Sequence, residues 1–132
     1  MKITADTNIL IRSVVGDDAG QARTAAKVLK DAELIAVAIA SLCEFVWVLR
    51  KVYGLSRSDI AAALRALIGT RNLVVNRPAA EAGLATFEAG GDFADGVIAF
   101  EGNWLGGETF VSFDRKAVAV LTEQGRSANL LA

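Results

Sequence analysis

Short apolar runs alternate with helical stretches along this 132-residue sequence, and this alternation constrains the fold more than any other feature. Runs too short or too β-prone for ordinary helices cover residues 1–5, 34–40, 71–75, 109–113 and 129–131. Strands that alternate with helices form a parallel sheet covered by helices on both faces. We therefore predict one α/β domain over residues 1–132 with a central parallel sheet.

The intervening stretches carry apolar residues at helical spacing. The predicted helices cover residues 9–15, 17–32, 41–53, 57–68, 79–89, 92–102 and 115–122. Gly54 separates two of them, which look like a helical hairpin. The run at 34–40 is continuous and apolar, as expected of a strand buried on both faces.

Composition excludes several kinds of chemistry. The sequence has no histidine, so His-dependent triads and His-rich zinc sites are excluded. Cys43 is the only cysteine and cannot form an internal disulfide, and no signal peptide precedes the first strand, so we expect a cytoplasmic protein. Charged residues interrupt every apolar run well short of the ~20 residues of a membrane span. The net charge of −1 means that any nucleic-acid contact needs a local basic patch.

Five of the 15 acidic residues lie at or just inside predicted helix starts: Asp6, Glu44, Asp92, Asp95 and Asp114. Asp6 and Asp114 directly follow strands, which places them at the carboxyl edge of the sheet, where open parallel sheets bind ligands. Capping is the alternative explanation. Asp6 or Thr7 can cap the first helix, and Ser41 with Glu44 matches a capping box.

Four carboxylates converge on one pocket if the helices of Glu44 and Asp95 also begin at that edge. Like charges in such a cluster raise one another's pKa and oppose folding, and a divalent cation removes that cost. Oxygen ligands without His or Cys point to Mg²⁺ or Mn²⁺, and hence to metal-assisted attack of water on a phosphodiester. Thr7 and Asn8 can position the water or a phosphate oxygen. Ser112 either bonds a carboxylate or is an ordinary strand serine.

The acidic motifs also occur in a recognisable order. They are Asp6-Thr-Asn8 after a strand, Glu44 in an apolar helix, Asp92-Phe-Ala-Asp95-Gly-Val-Ile-Ala, and Phe110-Val-Ser-Phe-Asp114-Arg-Lys. This set, which covers essentially the whole chain, resembles the PIN-domain ribonucleases, most closely the VapC-type toxins of bacterial and archaeal toxin–antitoxin pairs. The resemblance implies a three-layer α/β/α sandwich, metal-dependent endoribonuclease activity and a cognate antitoxin.

Carried over by position, the resemblance makes Asp6, Glu44, Asp95 and Asp114 both the catalytic and the metal-binding acids. Asp92 either joins them or caps its helix, and Gly96 stands where Ala is more usual. The cations near the acidic helices are the predicted RNA contacts: Arg12, Arg50, Lys51, Arg115 and Lys116. Alternatively, each of these cations lies on a solvated helix face and binds no RNA. If they bind phosphates, cleavage depends strongly on salt concentration.

The apolar residues exceed what a small core needs. Phe45, Trp47, Val48 and Leu49 lie almost all round one helix, and Trp104 lies in a Gly-rich loop. We expect a homodimer and an antitoxin segment bound as an amphipathic helix in an apolar groove, with a basic side chain that enters the acidic pocket and displaces metal. Alternatively, the sheet and the second helix of the hairpin bury all of these apolar side chains.

Two other functions compete with the ribonuclease. A structure-specific DNA nuclease would use the same acids, but the chain lacks the dense Lys/Arg run and extra helical region expected for gripping branched DNA. A receiver-like regulatory domain would have paired acids after the first strand and a Lys after the last. Asp6 stands alone, and no Lys follows Ala117.

Overall fold

The structure, a computed structural model, describes residues 1–132 and has an α/β fold of seven helices and five short strands. The chain divides into two compact units, an amino-terminal unit (Met1–Arg77) and a carboxyl-terminal unit (Pro78–Ala132). None of the seven helices has the length and apolar character needed to cross a bilayer. The prediction of a single domain stays a prediction.

The amino-terminal unit contains a three-stranded parallel sheet with the order β1-β2-β3. Its elements are β1 (Lys2–Thr4), α1 (Thr7–Arg12), α2 (Ala19–Asp31), β2 (Leu34–Ala36), α3 (Ile39–Lys51), α4 (Arg57–Ile68) and β3 (Leu73–Val74). Ile35 pairs with Ile3 on one side and Leu73 on the other, and it is almost fully buried. The central strand thus anchors the core of this unit.

The helical hairpin predicted around Gly54 is present as α3 and α4. Gly54 has a φ of +65°, a left-handed conformation that favours glycine. Ser56 then caps α4, because its hydroxyl oxygen accepts a hydrogen bond of 3.1 Å from the Asp59 N–H. Apolar side chains on the inner faces of both helices are fully buried: Leu42, Phe45 and Leu49 from α3, and Ile60 and Leu64 from α4.

The carboxyl-terminal unit contains a two-stranded parallel sheet, β4 and β5. Its elements are α5 (Arg77–Glu88, beginning at the boundary), α6 (Phe93–Trp104), β4 (Phe110–Ser112), α7 (Arg115–Glu123) and β5 (Ala128–Leu130). The strands pair in parallel, as predicted, with Phe110 opposite Ala128. The sequence predicted one central sheet, whereas the hydrogen bonds divide the strands into two.

Several predicted boundaries are wrong. Ile39 and Ala40 begin α3 rather than ending a strand, since periodicity alone cannot tell a short apolar strand from a buried helix start. Ser41 therefore lies inside α3, and the N-cap residue Ala38 makes no side-chain capping bond, so the predicted capping box is absent. Trp104 is the last residue of α6 rather than part of a loop.

Helices α5 and α6 approach closely at glycine positions. A Cβ atom on Gly96 would lie 2.5 Å from Thr86 Oγ1 and 2.7 Å from the carbonyl oxygen of Ala82. Thr86 is buried and donates its hydroxyl to Gln124 Oε1 over 3.0 Å, so it has little freedom to move. This contact explains why glycine stands at position 96, where the resemblance to PIN-domain ribonucleases implies Ala.

We expect Gly96→Ala to destabilise the protein by about 1–3 kcal/mol, because the added methyl group overpacks the contact with α5. Gly102→Ala is the matched control in the same helix, since a Cβ at that position meets nothing within 4 Å. It should be stabilising by about 0.4–1 kcal/mol, through lower entropy of the unfolded chain. Urea unfolding measures both values. Equal stability of the two variants would contradict the close approach.

Candidate functional site

Asp6 lies at the junction between β1 and α1. It is the N-cap residue of α1, and its Oδ1 accepts a 2.9 Å hydrogen bond from the Thr7 N–H. The capping role considered for Asp6 is therefore present. It engages one carboxylate oxygen of an exposed side chain, so capping and ligand binding are compatible at this residue.

Thr7 connects Asp6 to Glu44. The Thr7 side chain is buried, and its hydroxyl lies 3.3 Å from Glu44 Oε1, to which it donates a hydrogen bond. Glu44 lies in the second turn of α3 and has an exposed side chain. The amino-terminal unit thus brings two predicted acids onto one threonine. Asn8 is exposed in the first turn of α1, and its predicted role stays a prediction.

Three acids of the carboxyl-terminal unit influence one another. Asp95 lies in the first turn of α6, and burial raises the pKa of its carboxyl group. The charges of Asp92 and Asp114 raise that pKa further, because like charges disfavour ionisation. None of the three carboxylates forms an ion pair with a lysine or arginine. Negative charge is therefore concentrated here without a protein cation to balance it.

The helix ends hold two of these acids differently. Asp114 caps α7, because its Oδ1 accepts a 3.1 Å hydrogen bond from the Ala117 N–H. Asp92 occupies the N-cap position of α6 but makes no capping hydrogen bond. The prediction that the side chain of Asp92 caps α6 is therefore wrong. Ser112 does not bond a carboxylate either. Its Oγ accepts a hydrogen bond from the Asp114 N–H over 2.9 Å.

Among the predicted RNA contacts, Arg12 is already engaged. It forms an ion pair with Asp17 at 2.6 Å and donates hydrogen bonds to Gln21 and Tyr53. The sequence analysis missed this network, whose one local signal is an acid five residues after Arg12. The remaining four cations form no ion pair: Arg50, Lys51, Arg115 and Lys116. Arg50 is half-buried, and the other three are exposed.

No group of three or more His, Cys, Asp or Glu side chains is gathered closely enough to hold a metal ion as it stands. The donor chemistry nevertheless suits a hard divalent cation, because every predicted ligand is a carboxylate oxygen. The unbalanced charge around Asp95 points the same way, since a bound cation would relieve it. Mg²⁺ or Mn²⁺ binding stays a prediction.

Each unit also exposes apolar surface. On α3, Phe45 and Leu49 are buried as core residues, whereas Trp47 is 58% exposed. In the carboxyl-terminal unit, a groove of about 450 Å³ lies between α6 and the start of β4, and Ile98 and Val111 line it with largely exposed side chains. Trp47 thus leaves part of the apolar helix uncovered by this chain, and the predicted dimer and antitoxin contacts stay predictions.

The raised pKa of Asp95 predicts how stability depends on pH. Between the ordinary value of 3.8 and the raised value, the folded state binds more protons than the unfolded state, so stability falls as pH rises. Asparagine has no carboxyl group to ionise, so Asp95→Asn removes this loss of stability. We therefore expect the variant to be more stable than wild type at pH 7 without divalent cations, with a difference that shrinks as pH falls towards 3.8. Urea unfolding across pH 3.5–7.5 measures it.

Asp59→Asn is the matched control, because Asp59 occupies the same helical position in α4 as Asp95 does in α6. Asp59 is exposed, and negative charge favours a helix N-terminus, so its neutralisation should not stabilise the protein. Equal effects of the two substitutions at pH 7 would refute the electrostatic explanation.

Comparisons of the chain with protein-family models, with curated proteins and with solved structures found no match. The function of these acids is therefore inferred from their own chemistry and surroundings.

Proposed function

We propose that this protein is a divalent-metal-dependent endoribonuclease that hydrolyses RNA phosphodiester bonds as the toxin of a toxin–antitoxin pair. The observation that carries the proposal is geometric: Asp92, Asp95 and Asp114 lie close enough to repel one another, and no lysine or arginine pairs with any of them. Burial and this repulsion together raise the pKa of Asp95. Perturbed carboxyl groups of this kind are common at functional sites. The resemblance to PIN-domain ribonucleases adds the three-layer sandwich to the proposal. The single cysteine, Cys43, adds the cytoplasmic setting.

The metal-binding acids in this proposal are Asp6, Glu44, Asp95 and Asp114, with Asp92 in support. When bound, Mg²⁺ or Mn²⁺ supplies an activated water nucleophile and stabilises the leaving oxygen. Such ions bind through few carboxylates and retain water molecules. Carboxylates held by hydrogen bonds but not neutralised by lysine or arginine suit this task.

The chain's own residues orient the acids. The Thr7 N–H and hydroxyl hold one oxygen of Asp6 and one of Glu44, which leaves the second oxygen of each carboxylate available. The Ala117 N–H does the same for Asp114. Because supporting hydrogen bonds fix the direction of ligand oxygens, Thr7 acts as a positioning residue for two acids at once.

We expect Asp6→Asn and Asp95→Asn to reduce the rate of RNA cleavage by about 100-fold or more. Loss of a group that only supports a metal ligand already costs about 10- to 100-fold. Asparagine keeps a carbonyl oxygen, so the Asp6 hydrogen bond to Thr7 can persist while the charge is lost. Activity should require Mg²⁺ or Mn²⁺ and disappear in EDTA. Cleavage of labelled RNA and DNA of the same sequence measures both the metal requirement and the choice of nucleic acid.

Asp59→Asn again serves as control and should cleave RNA at the wild-type rate. Undiminished cleavage in EDTA would eliminate the metal mechanism. Cleavage of DNA but not RNA would replace the proposal with a DNA nuclease, and metal-dependent phosphate uptake without cleavage would favour a receiver-like domain.

The partner in this proposal is a cognate antitoxin, and the chain also forms a homodimer. Trp47 and the groove beside Ile98 and Val111 support it, since apolar side chains of this size are exposed at both places. Contiguous exposed apolar surface marks interaction sites. An amphipathic helix laid into such a groove is a common mode of peptide recognition.

Expression of the chain with and without its neighbouring open reading frame tests the partner. We expect growth arrest and poor solubility for the chain alone, and a stable, inactive complex when both are expressed, because the neighbour covers apolar surface. Gel filtration and cell growth measure these outcomes. A harmless, monodisperse monomer that gains neither solubility nor inhibition from its neighbour would refute the proposal.

A further inference from the structure

An exposed aromatic ring adjoins one of the acids. Phe113 directly follows β4, directly precedes Asp114, and is 74% exposed. Val111, two residues earlier in the strand, is 54% exposed, and Leu131, just beyond β5, is 43% exposed. Phenylalanine is among the residue types most often fully buried. An exposed ring next to further exposed apolar side chains therefore forms a surface available for contact.

Two cations follow the acid. Arg115 and Lys116 open α7, are exposed, and form no ion pair. Positive charge in the first turn of a helix is opposed by the helix dipole, so these residues lie where helix stability does not favour them. A bound polyanion would offset that repulsion. The order along the chain is thus aromatic ring, acid, then two cations.

We propose that Phe113 is a stacking platform for an unpaired base of single-stranded RNA, while Arg115 and Lys116 contact its phosphates. This inference rests on the proposed ribonuclease function and narrows the substrate to an unstacked segment. Adjacent Cα atoms are about 3.8 Å apart, so a nucleotide with its phosphate at Asp114 has its own base or the next one within reach of Phe113. Bases inside a duplex are already stacked and are not available to the ring.

The test separates binding from cleavage. The full chain is titrated with Ca²⁺ in place of Mg²⁺ or Mn²⁺, so that a divalent cation balances the carboxylates. The ligands are a single-stranded RNA that carries 2-aminopurine, a base whose fluorescence reports stacking, and the matching duplex. Phe113→Leu should weaken binding of the single strand about 5- to 150-fold, the range corresponding to about 1–3 kcal/mol per stacked base. The stacking signal should vanish, and Phe113→Tyr should restore both affinity and signal.

The salt dependence distinguishes the two kinds of contact. Arg115→Gln and Lys116→Gln should each lower the slope of log affinity against log salt by about one, because each removes one phosphate contact. Phe113→Leu should leave that slope unchanged. Trp104→Leu is the matched aromatic control. Trp104 is 83% exposed but lies about 14 Å from Asp95 along α6, at 1.5 Å per residue, and its loss should change neither affinity nor signal.

The outcomes separate this inference from the proposed function. If wild type cleaves RNA with Mg²⁺ but Phe113→Leu binds the single strand as tightly as wild type, the stacking platform is overturned and the ribonuclease stands. If wild type neither binds nor cleaves RNA, both fall. If Phe113→Leu leaves RNA binding intact but abolishes the complex with the neighbouring protein, the ring is a protein-binding surface and the stacking proposal is wrong. Thermal unfolding of each variant confirms that it remains folded.

Discussion

Uncompensated negative charge at helix starts is the constraint on which the candidate site depends. Burial, and then the charges of Asp92 and Asp114, raise the pKa of Asp95, and no lysine or arginine neutralises any of the three. Backbone N–H groups take part of that role, as the hydrogen bond from Ala117 to Asp114 shows. The partial positive charge of a helix N-terminus makes such positions tolerable for acids. Asp114 is thus held through one oxygen atom, and its second oxygen remains available.

Packing determines where one of these acids lies. Asp95 directly precedes Gly96, and a side chain at Gly96 would collide with Thr86 and with the backbone of α5. Thr86 is held in turn by Gln124. The position of Asp95 therefore depends on a close helix contact that only glycine permits. Interiors are packed too tightly for such a contact to absorb an added methyl group without displacement.

The charged residues of the chain have separate tasks. Arg12 stabilises the amino-terminal unit by joining the loop at Asp17 to Tyr53, two residues after the end of α3. Arg115 and Lys116, by contrast, have no ion-pair partner and follow the exposed Phe113 by two and three residues in the sequence. An arginine with an acid within reach, as at position 12, therefore stabilises the fold. An arginine without one, as at position 115, is available to a ligand.

Local sequence determined the element types, because helical and strand periodicity and capping residues act over a few positions. It predicted the bounds of α4, residues 57–68, and the strand-to-helix junctions at Asp6 and Asp114. Contacts distant in sequence were decided only by the tertiary structure. These include the Thr7–Glu44 hydrogen bond, the engagement of Arg12 by Tyr53, the reason for Gly96 and the exposure of Phe113. The start of α3 was predicted wrongly because a continuous apolar run has no periodicity that distinguishes a strand from a helix. Only strand pairing and packing within the unit make that distinction.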